Sequence, residues 1–306
     1  MDNIKLLQNR IHFLRSANRI EQIFKGFSPD KKYIIYFKHD EKYILRTGDT
    51  EEYERKNTEY KILNEMQNLG VQSPKPIELG LFEDMGICYN INSYIEGEEA
   101  KILLPQYEAR EQYKIGLEAG KDLAKMHLYK APSTIEPWYE RVMEKHYRYL
   151  EEYKTCGIKI KNDEKIIQFI ERNKSYLKNR PNQFQHDDFH ISNIIVKDKQ
   201  YMGVIDFNGF DWGDPIHDFV KIAIFGRCVS IPYSIGQIHG YFEENSMEEF
   251  WNLYSIYVAM TIFSAVVWSI KEAPEQLAEM LERLNLVLED HKYFDLIQPI
   301  WFNDNL

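Results

Sequence analysis

The sequence predicts an α+β protein in two lobes: a small antiparallel β-sheet carrying one helix, then a larger and mainly helical part. Between residues 20 and 94, five short β-rich runs alternate with turn-forming residues, and a single amphipathic helical stretch interrupts them. From residue 105 on, helical periodicity dominates. At Ile95-Glu96-Gly97 the pattern breaks. This sets the expected organisation: a lobe over 1–95, a hinge at about 93–97 and a second lobe over 98–306. A chain of 306 residues is long enough to bury two cores.

Taken in order, Ile4, Leu7, Ile11 and Leu14 fall at helical spacing and predict an amphipathic helix over 3–19. Three β-rich runs follow, Ile20–Lys25, Lys32–Lys38 and Lys42–Thr47, separated by turns at 26–30 and 39–41. The first turn holds Ser28 where a phosphate-covering loop would lie, but with one glycine it reads, taken alone, as an ordinary hairpin. The third run ends on Arg46. A helix is expected over 50–69, with Glu59, Ile62, Leu63 and Met66 on one face. That pattern turns Glu59 inward, where an unpartnered carboxylate is costly. Arg46 is the expected partner, in a pair that orients nucleotide phosphates or in a purely structural one. Pro74 and Pro76 end the helix, and strands are expected at Glu78–Phe82 and Ile87–Tyr94. Strand-edge backbone at Ser93, Tyr94 and Ile95 is placed to hydrogen-bond a purine. Further helices are expected over 105–129, 137–155, 163–178, 247–270 and 275–290, with Gly116 and Gly120 allowing close helix packing. His127 reads as a core histidine.

The chemistry is concentrated between these helices. Gln185-His186-Asp187-Asp188-Phe189-His190-Ile191-Ser192-Asn193 leads into apolar runs at 194–196 and 202–205 around a polar turn, a β-hairpin pattern closing on Asp206. Asp188 and Asn193 have the H-x-D-x-x-x-x-N spacing of a phosphoryl-transfer loop. In such loops the aspartate accepts the proton of an attacking hydroxyl. An amide oxygen and a second carboxylate, here Asn193 and Asp206, hold Mg2+ against nucleotide phosphates. His186 and His190, four apart, also permit a zinc reading, but they run into a strand rather than lying on one helix face. His186 reads as an organiser of the loop. Asp211-Trp212-Gly213-Asp214-Pro215 makes a turn, and Pro215 opens a helix carrying Asp218.

A net charge of −10 and a pI near 5.5 argue against a nucleic-acid partner and suit a small cationic substrate, although acidity also serves solubility alone. Cys88, Cys156 and Cys228 are odd in number and far apart, as expected of buried thiols in a reducing cytoplasm. The N-terminus has no apolar signal region. The longest apolar run, Ile256 to Ile270, is expected to be too short to span a bilayer and to form a core helix.

With these residues placed, the chain resembles the aminoglycoside phosphotransferase family, antibiotic kinases with the two-lobed protein-kinase-like fold, and looks closest to its kanamycin-kinase-like members. The likeness extends from the turn at 26–30 to the C-terminal helices. It is carried by His186 through Asn193, Ile205-Asp206-Phe207, Gly213-Asp214-Pro215 and Asp218. The resemblance implies that Asp188 is the catalytic base and that Asn193 and Asp206 are Mg2+ ligands. It implies that Arg46, Glu59, Ser28, Ile205 and the Ser93–Ile95 hinge serve the ATP or GTP donor. Asp187, Asp211, Trp268 and Glu272 are candidates to meet an aminoglycoside. The last three also have plain readings as a cap, a core ring and a surface carboxylate. Asp187 stands where the family usually has glycine, Phe189 where it has leucine or tyrosine, and Arg46 where many kinases have lysine. Asp187 would either raise the pKa of Asp188 or recruit a cationic substrate. The short stretch between Asp206 and Asp214 leaves no room for a protein-kinase activation segment. A kinase of the same fold acting on a choline-like amine, homoserine or a thiosugar, or a nucleotide-binding pseudokinase, are the alternatives.

Overall fold

A computed structural model describes residues 3–24, 30–243, 247 and 249–303. Its fold class is α+β. Two compact units divide the chain, Met1–Glu96 and Gly97–Leu306.

The first unit is built on a five-stranded antiparallel sheet in the order β1-β2-β3-β5-β4. Its strands are β1 (Arg19–Ile23), β2 (Lys31–Tyr36), β3 (Lys42–Asp49), β4 (Pro76–Phe82) and β5 (Ile87–Ser93). Alternation along the strands gives it two unlike faces. Tyr33, Ile35, Leu45, Tyr89 and Ile91 pack on Leu7, Ile11 and Leu14. The opposite face carries Arg46 toward helix α2 (Tyr53–Asn68), whose Glu59, Ile62, Leu63 and Met66 are buried as their spacing predicts. The leading helix is shorter than expected. Helix α1 (Asn3–Arg10) stops at Ile11, which is extended, and a 3₁₀ turn over His12–Ser16 brings Leu14 back to the same core. An eight-residue helix has little stability of its own, so packing on the sheet decides its shape.

The second unit begins at Gly97 and β6 (Glu98–Glu99), then α3 (Ala100–Leu103) and α4 (Ala109–Met126). Gly97 has φ 138°, and a Cβ there would press on the Val196 carbonyl oxygen, so glycine lets β6 lie against β8. Helices α5 (Trp138–Thr155) and α6 (Asp163–Asn173) follow as predicted, and a 3₁₀ turn over Lys174–Leu177 finishes the third stretch. Strands β7 (Gln183–Gln185), β8 (Ile194–Lys197), β9 (Gln200–Val204) and β10 (Asp211–Gly213) build two small sheets, β10-β7 and β6-β8-β9. The β8–β9 turn is only Asp198-Lys199, both left-handed at φ 49° and 63°, the backbone of a two-residue hairpin turn. Pro215 opens a 3₁₀ segment, Pro215–Phe219, and a π-helical turn, Ile222–Gly226, leads to α7 (Arg227–Val229).

Helix α8 (Ile231–Phe242) is absent from the expectation above. Pro232, Gly236 and Gly240 look like breakers in a single segment. In the fold the proline sits in the first turn behind the Ser230 N-cap, and the glycines face α4. A Cβ on Gly116, Gly120, Gly236 or Gly240 would meet backbone of the partner helix. The G-x-x-x-G spacing on both segments is the signal that identifies the pair. Helix α9 (Phe250–Glu272) corrects the bilayer expectation: at 23 residues it is long and apolar enough to cross one, yet its apolar stretch is 78% buried inside the protein. It is a core helix, running parallel to α5, with Trp138 on Tyr257 at one end and Glu152 on Lys271 at the other. Helix α10 (Leu277–Asp290) closes the chain.

Candidate active site

The stretch 185–193 is a loop held from beneath by one buried carboxylate. Asp218 accepts from the backbone N–H of His186 and of Asp187, both at 2.8 Å, and from His127 Nε2 at 3.0 Å. Tyr241 binds the other ring nitrogen of His127 at 2.9 Å. His127 is therefore a core histidine, as expected, and its partner is the residue that shapes the loop. His186 Nε2 donates to the Ile205 carbonyl at 3.2 Å. Burial lowers its pKa, so it is a neutral organiser joining the loop to the base of the hairpin.

That hairpin places Asn193 and Asp206 side by side. Ile194 faces Val204 across the ladder, and one step further Ile205 N–H donates to the Asn193 carbonyl at 2.9 Å. Asp206 follows with a left-handed backbone, φ 70°. Asn193 Nδ2 donates to the Asp188 carbonyl oxygen at 2.9 Å and to Asp188 Oδ2 at 2.8 Å, so its amide oxygen is the atom not engaged by Asp188. An amide oxygen and a carboxylate at adjacent positions suit a hard cation that takes its other ligands from phosphate and water. No cluster of three or more His, Cys, Asp or Glu side chains able to hold a metal occurs among the described residues. The two histidines of the zinc reading are engaged otherwise.

Asp188 is the most heavily engaged side chain of the group. Oδ2 takes Asn193 and lies 3.4 Å from His190 Nε2, and Oδ1 accepts from Lys221 Nζ at 3.1 Å. His190 Nδ1 accepts from Ser192 N–H at 3.1 Å, which leaves the Nε2 proton facing Asp188. Burial by itself would raise the Asp188 pKa. The His190 hydrogen bond and the Lys221 charge outweigh it and hold the carboxyl well below the usual range. Any upward push from the neighbouring Asp187 is outweighed by these partners. Asp187 has φ 56°, a conformation that explains why glycine suits the position. Its own carboxyl, though partly withdrawn from water, is lowered to about 2 by His217, whose Nδ1 lies 3.4 Å away.

Lys221 is a residue that sequence reasoning missed. It follows Asp218 by three positions, and no motif singles it out. Burial would lower its pKa, but Asp188 and Asp187 raise it above the ordinary lysine value.

The other substrate-side candidates have partners and positions of their own. Asp211 pairs with Arg141 and accepts from Trp212 N–H at 2.7 Å, so it caps its own strand. Trp268 and Glu272 lie eleven and fifteen residues beyond Tyr257, whose hydroxyl donates to Asp214 at 2.8 Å. At helical rise this sets them roughly 16 and 22 Å along α9 from that contact.

In the first unit, Arg46 and Glu59 meet as expected, with Nη1 3.3 Å from Oε1 and both side chains buried. The pair is half of a larger group. Arg46 Nε also donates to Asp30 Oδ2 at 3.2 Å, and the same oxygen accepts from Lys56 Nζ at 2.5 Å. Two buried cations and two buried anions thus neutralise one another around β3. Lys56 precedes Glu59 by one helical turn, a spacing that marks both as inward-facing. Asn90 and Asn92 of β5 lie opposite Arg46 and Ile44, are buried, and keep amide atoms without hydrogen-bond partners. In the backbone expected to meet a purine, Ser93 N–H is bound to the Lys75 carbonyl and Tyr94 N–H to the Lys42 carbonyl. Ser28 lies outside the described residues.

No curated protein matches by sequence. Solved structures share the fold at low identity. The gentamicin–APH(2")-IIa complex is 14% identical with a TM-score of 0.66, covering 93% of this chain and 95% of that one. The GDP complex of aminoglycoside 2'-phosphotransferase-IIIa is 12% identical with a TM-score of 0.67, covering 93% and 97%. A ternary complex of APH(4)-Ia with AMP-PNP and hygromycin B is 12% identical with a TM-score of 0.66, covering 93% and 97%. The sequence model of the phosphotransferase enzyme family, APH, matches residues 19–250. With the loop, the hairpin and the sheet all inside that span, the chain belongs to the APH phosphotransferase family and is an enzyme of that kind.

Proposed function

We propose that the protein transfers the terminal phosphoryl group of ATP or GTP to a hydroxyl of an aminoglycoside-like, cationic sugar. The observation that carries this reading is the grouping of Asp188, Asn193 and Asp206 at the base of one hairpin, in a chain of a phosphotransferase family. The geometry of the three supports division of labour. Asp188, ionised at neutral pH, receives the proton of the acceptor hydroxyl as the oxygen–phosphorus bond forms. A carboxylate this acidic is a weak base, so its first task is to hold and orient the hydroxyl, with proton transfer late in the step. Asn193 and Asp206 would hold Mg2+, which supplies charge neutralisation at the phosphates. Ile205 ties these two residues through its N–H and His186 through its carbonyl. Arg46, kept in place by Glu59, is the cation offered to the nucleotide, and the backbone of the Ser93–Ile95 hinge would meet the base. The neighbouring structures with bound aminoglycosides and nucleotides support the substrate class. The net charge of −10 favours a cationic acceptor.

A coupled assay decides the matter: MgATP and MgGTP as donors against aminoglycosides, small amines including choline and homoserine, and thiosugars. Turnover is expected with an aminoglycoside and is expected to fall by about 10²–10⁴-fold in Asp188→Ala. Turnover confined to an amine or thiosugar would reassign the substrate. No turnover with any acceptor would mark a nucleotide-binding protein without transfer.

A further inference from the structure

We propose that Lys221 is a catalytic residue of the transfer step, meeting the phosphoryl group as it passes to the acceptor; this rests on the reading of Asp188 given above. The argument begins with the lone pairs of Asp188. A carboxylate has about four sites for hydrogen-bond donors. Oδ2 has Asn193 Nδ2 at 2.8 Å and His190 Nε2 at 3.4 Å. Oδ1 has Lys221 Nζ at 3.1 Å. The remaining site is on Oδ1, so an acceptor hydroxyl that donates to Asp188 shares its oxygen atom with the lysine. Two donors on one oxygen at ordinary hydrogen-bond lengths lie roughly 4–5 Å apart. The ammonium is thus beside the attacking oxygen and within reach of the oxygens of the phosphorus that it attacks.

Lys221 has the donors for this contact. Of the three N–H groups of its ammonium, Asp188 takes one, and no other hydrogen-bond partner exists for Lys221 among the described residues. The side chain is 22% exposed and that of Asp188 38%, so the pair presents an accessible edge. The backbone explains the placement. Immediately after Lys221 the helix widens into the π turn Ile222–Gly226, and the Phe225 ring lies tilted against His190 with centroids 5.1 Å apart. π turns of this kind recur at functional sites because they redirect side chains from a regular helix.

Charge changes during the step give the pair a purpose beyond structure. In the resting protein, ammonium and carboxylate neutralise each other. As the acceptor oxygen bonds to phosphorus, its proton passes to Asp188, and the bond between phosphorus and the bridging oxygen breaks. The nucleoside diphosphate leaves with that electron pair. Asp188 is then neutral, and Lys221, still protonated, has lost its hydrogen-bonded carboxylate partner, with Asp187 and Asp218 as the carboxylates that still act on it. The oxygens of the transferring phosphoryl group supply the replacement. An interaction that strengthens only as the reaction proceeds lowers the barrier without tightening ground-state binding.

The test compares Lys221→Met, Lys221→Arg and Asp188→Ala with the wild type. Steady-state kinetics use MgATP or MgGTP and the acceptor giving the highest wild-type turnover, and thermal unfolding is measured alongside. Lys221→Met is expected to lower kcat roughly a hundredfold, as loss of one charge-stabilising donor does elsewhere, with both KM values little changed. Lys221→Arg is expected to recover most of the rate. Should Lys221→Met fail to fold, Lys221→Gln carries the same comparison. Wild-type kcat in the neutral variant, with Asp188→Ala inactive, would overturn the role of Lys221 and leave the reading of Asp188 intact. An arginine variant as slow as the methionine one would overturn it equally. Full activity in Asp188→Ala would instead remove the reading on which the inference rests.

Discussion

At the residue scale, the buried charges in the first unit are the sharpest test of mutual dependence. Removing Glu59 takes one carboxylate from Arg46, and Asp30, which also binds Arg46, is shared with Lys56. Glu59→Ala is expected to cost about 1–3 kcal/mol in stability and to raise the apparent nucleotide constant, with acceptor binding little altered. A double-mutant cycle with Arg46→Ala, read by nucleotide titration, should show less than the summed losses. Strict additivity would separate the two residues. A second residue-scale prediction concerns pH. His146 is buried, and burial depresses its pKa to about 4, against about 6.5 when unfolded. The unfolded chain thus binds the proton first, and stability falls as pH drops from about 6.5 toward 4. His146→Phe should remove part of that slope in urea titrations at pH 4.5 and 7. An unchanged slope would assign it to other groups, His186 and His291 being the next buried histidines with lowered pKa.

At the scale of elements, the α4–α8 contact leaves no room for a side chain at its four glycines. A methyl group on Gly120 would fall on the Gln237 carbonyl oxygen, which is backbone and cannot turn aside. Gly120→Ala is expected to destabilise by about 1–3 kcal/mol despite its better helix propensity, seen as a lower denaturant midpoint. A midpoint at or above the wild-type value would show that the helices separate at no cost. The same contact matters to the loop, because α4 ends at Met126 and hands on His127, whose ring reaches Asp218.

For the whole molecule, ligand linkage gives the cleanest reading of metal and nucleotide together. A ligand that binds only the folded state stabilises it by about 2.7 kcal/mol at a hundred times its Kd. MgATP or MgGTP should therefore raise Tm, EDTA should diminish the rise, and Asp206→Ala should lose the metal-dependent part. Equal shifts in the wild type and Asp206→Ala, with and without metal, would take Asp206 out of the site. The acidity of the chain predicts a further bulk effect: KM for a cationic acceptor should increase with ionic strength as screening grows.

Local pattern determined a large share of this protein. Turn residues and alternation set the antiparallel strands, and the inward position of Glu59 demanded a cation that Arg46 provides. The spacing of Asp188, Asn193 and Asp206 named the three residues that the hairpin assembles. Such features are legible because each is written in consecutive residues or in one period. What tertiary structure alone decided involves partners distant in sequence. Helix α8 packs through glycines that lie against the backbone of α4 more than a hundred residues earlier, and in isolation the same glycines read as breaks. Helix α9 is long enough for a bilayer by composition, and only its burial makes it a core helix. Asp30 and Lys56 enlarge a pair into a four-charge group, and Lys221 reaches Asp188 from a segment with no motif. A side chain's charge is visible in a sequence; which opposite charge it faces is settled by how the backbone folds.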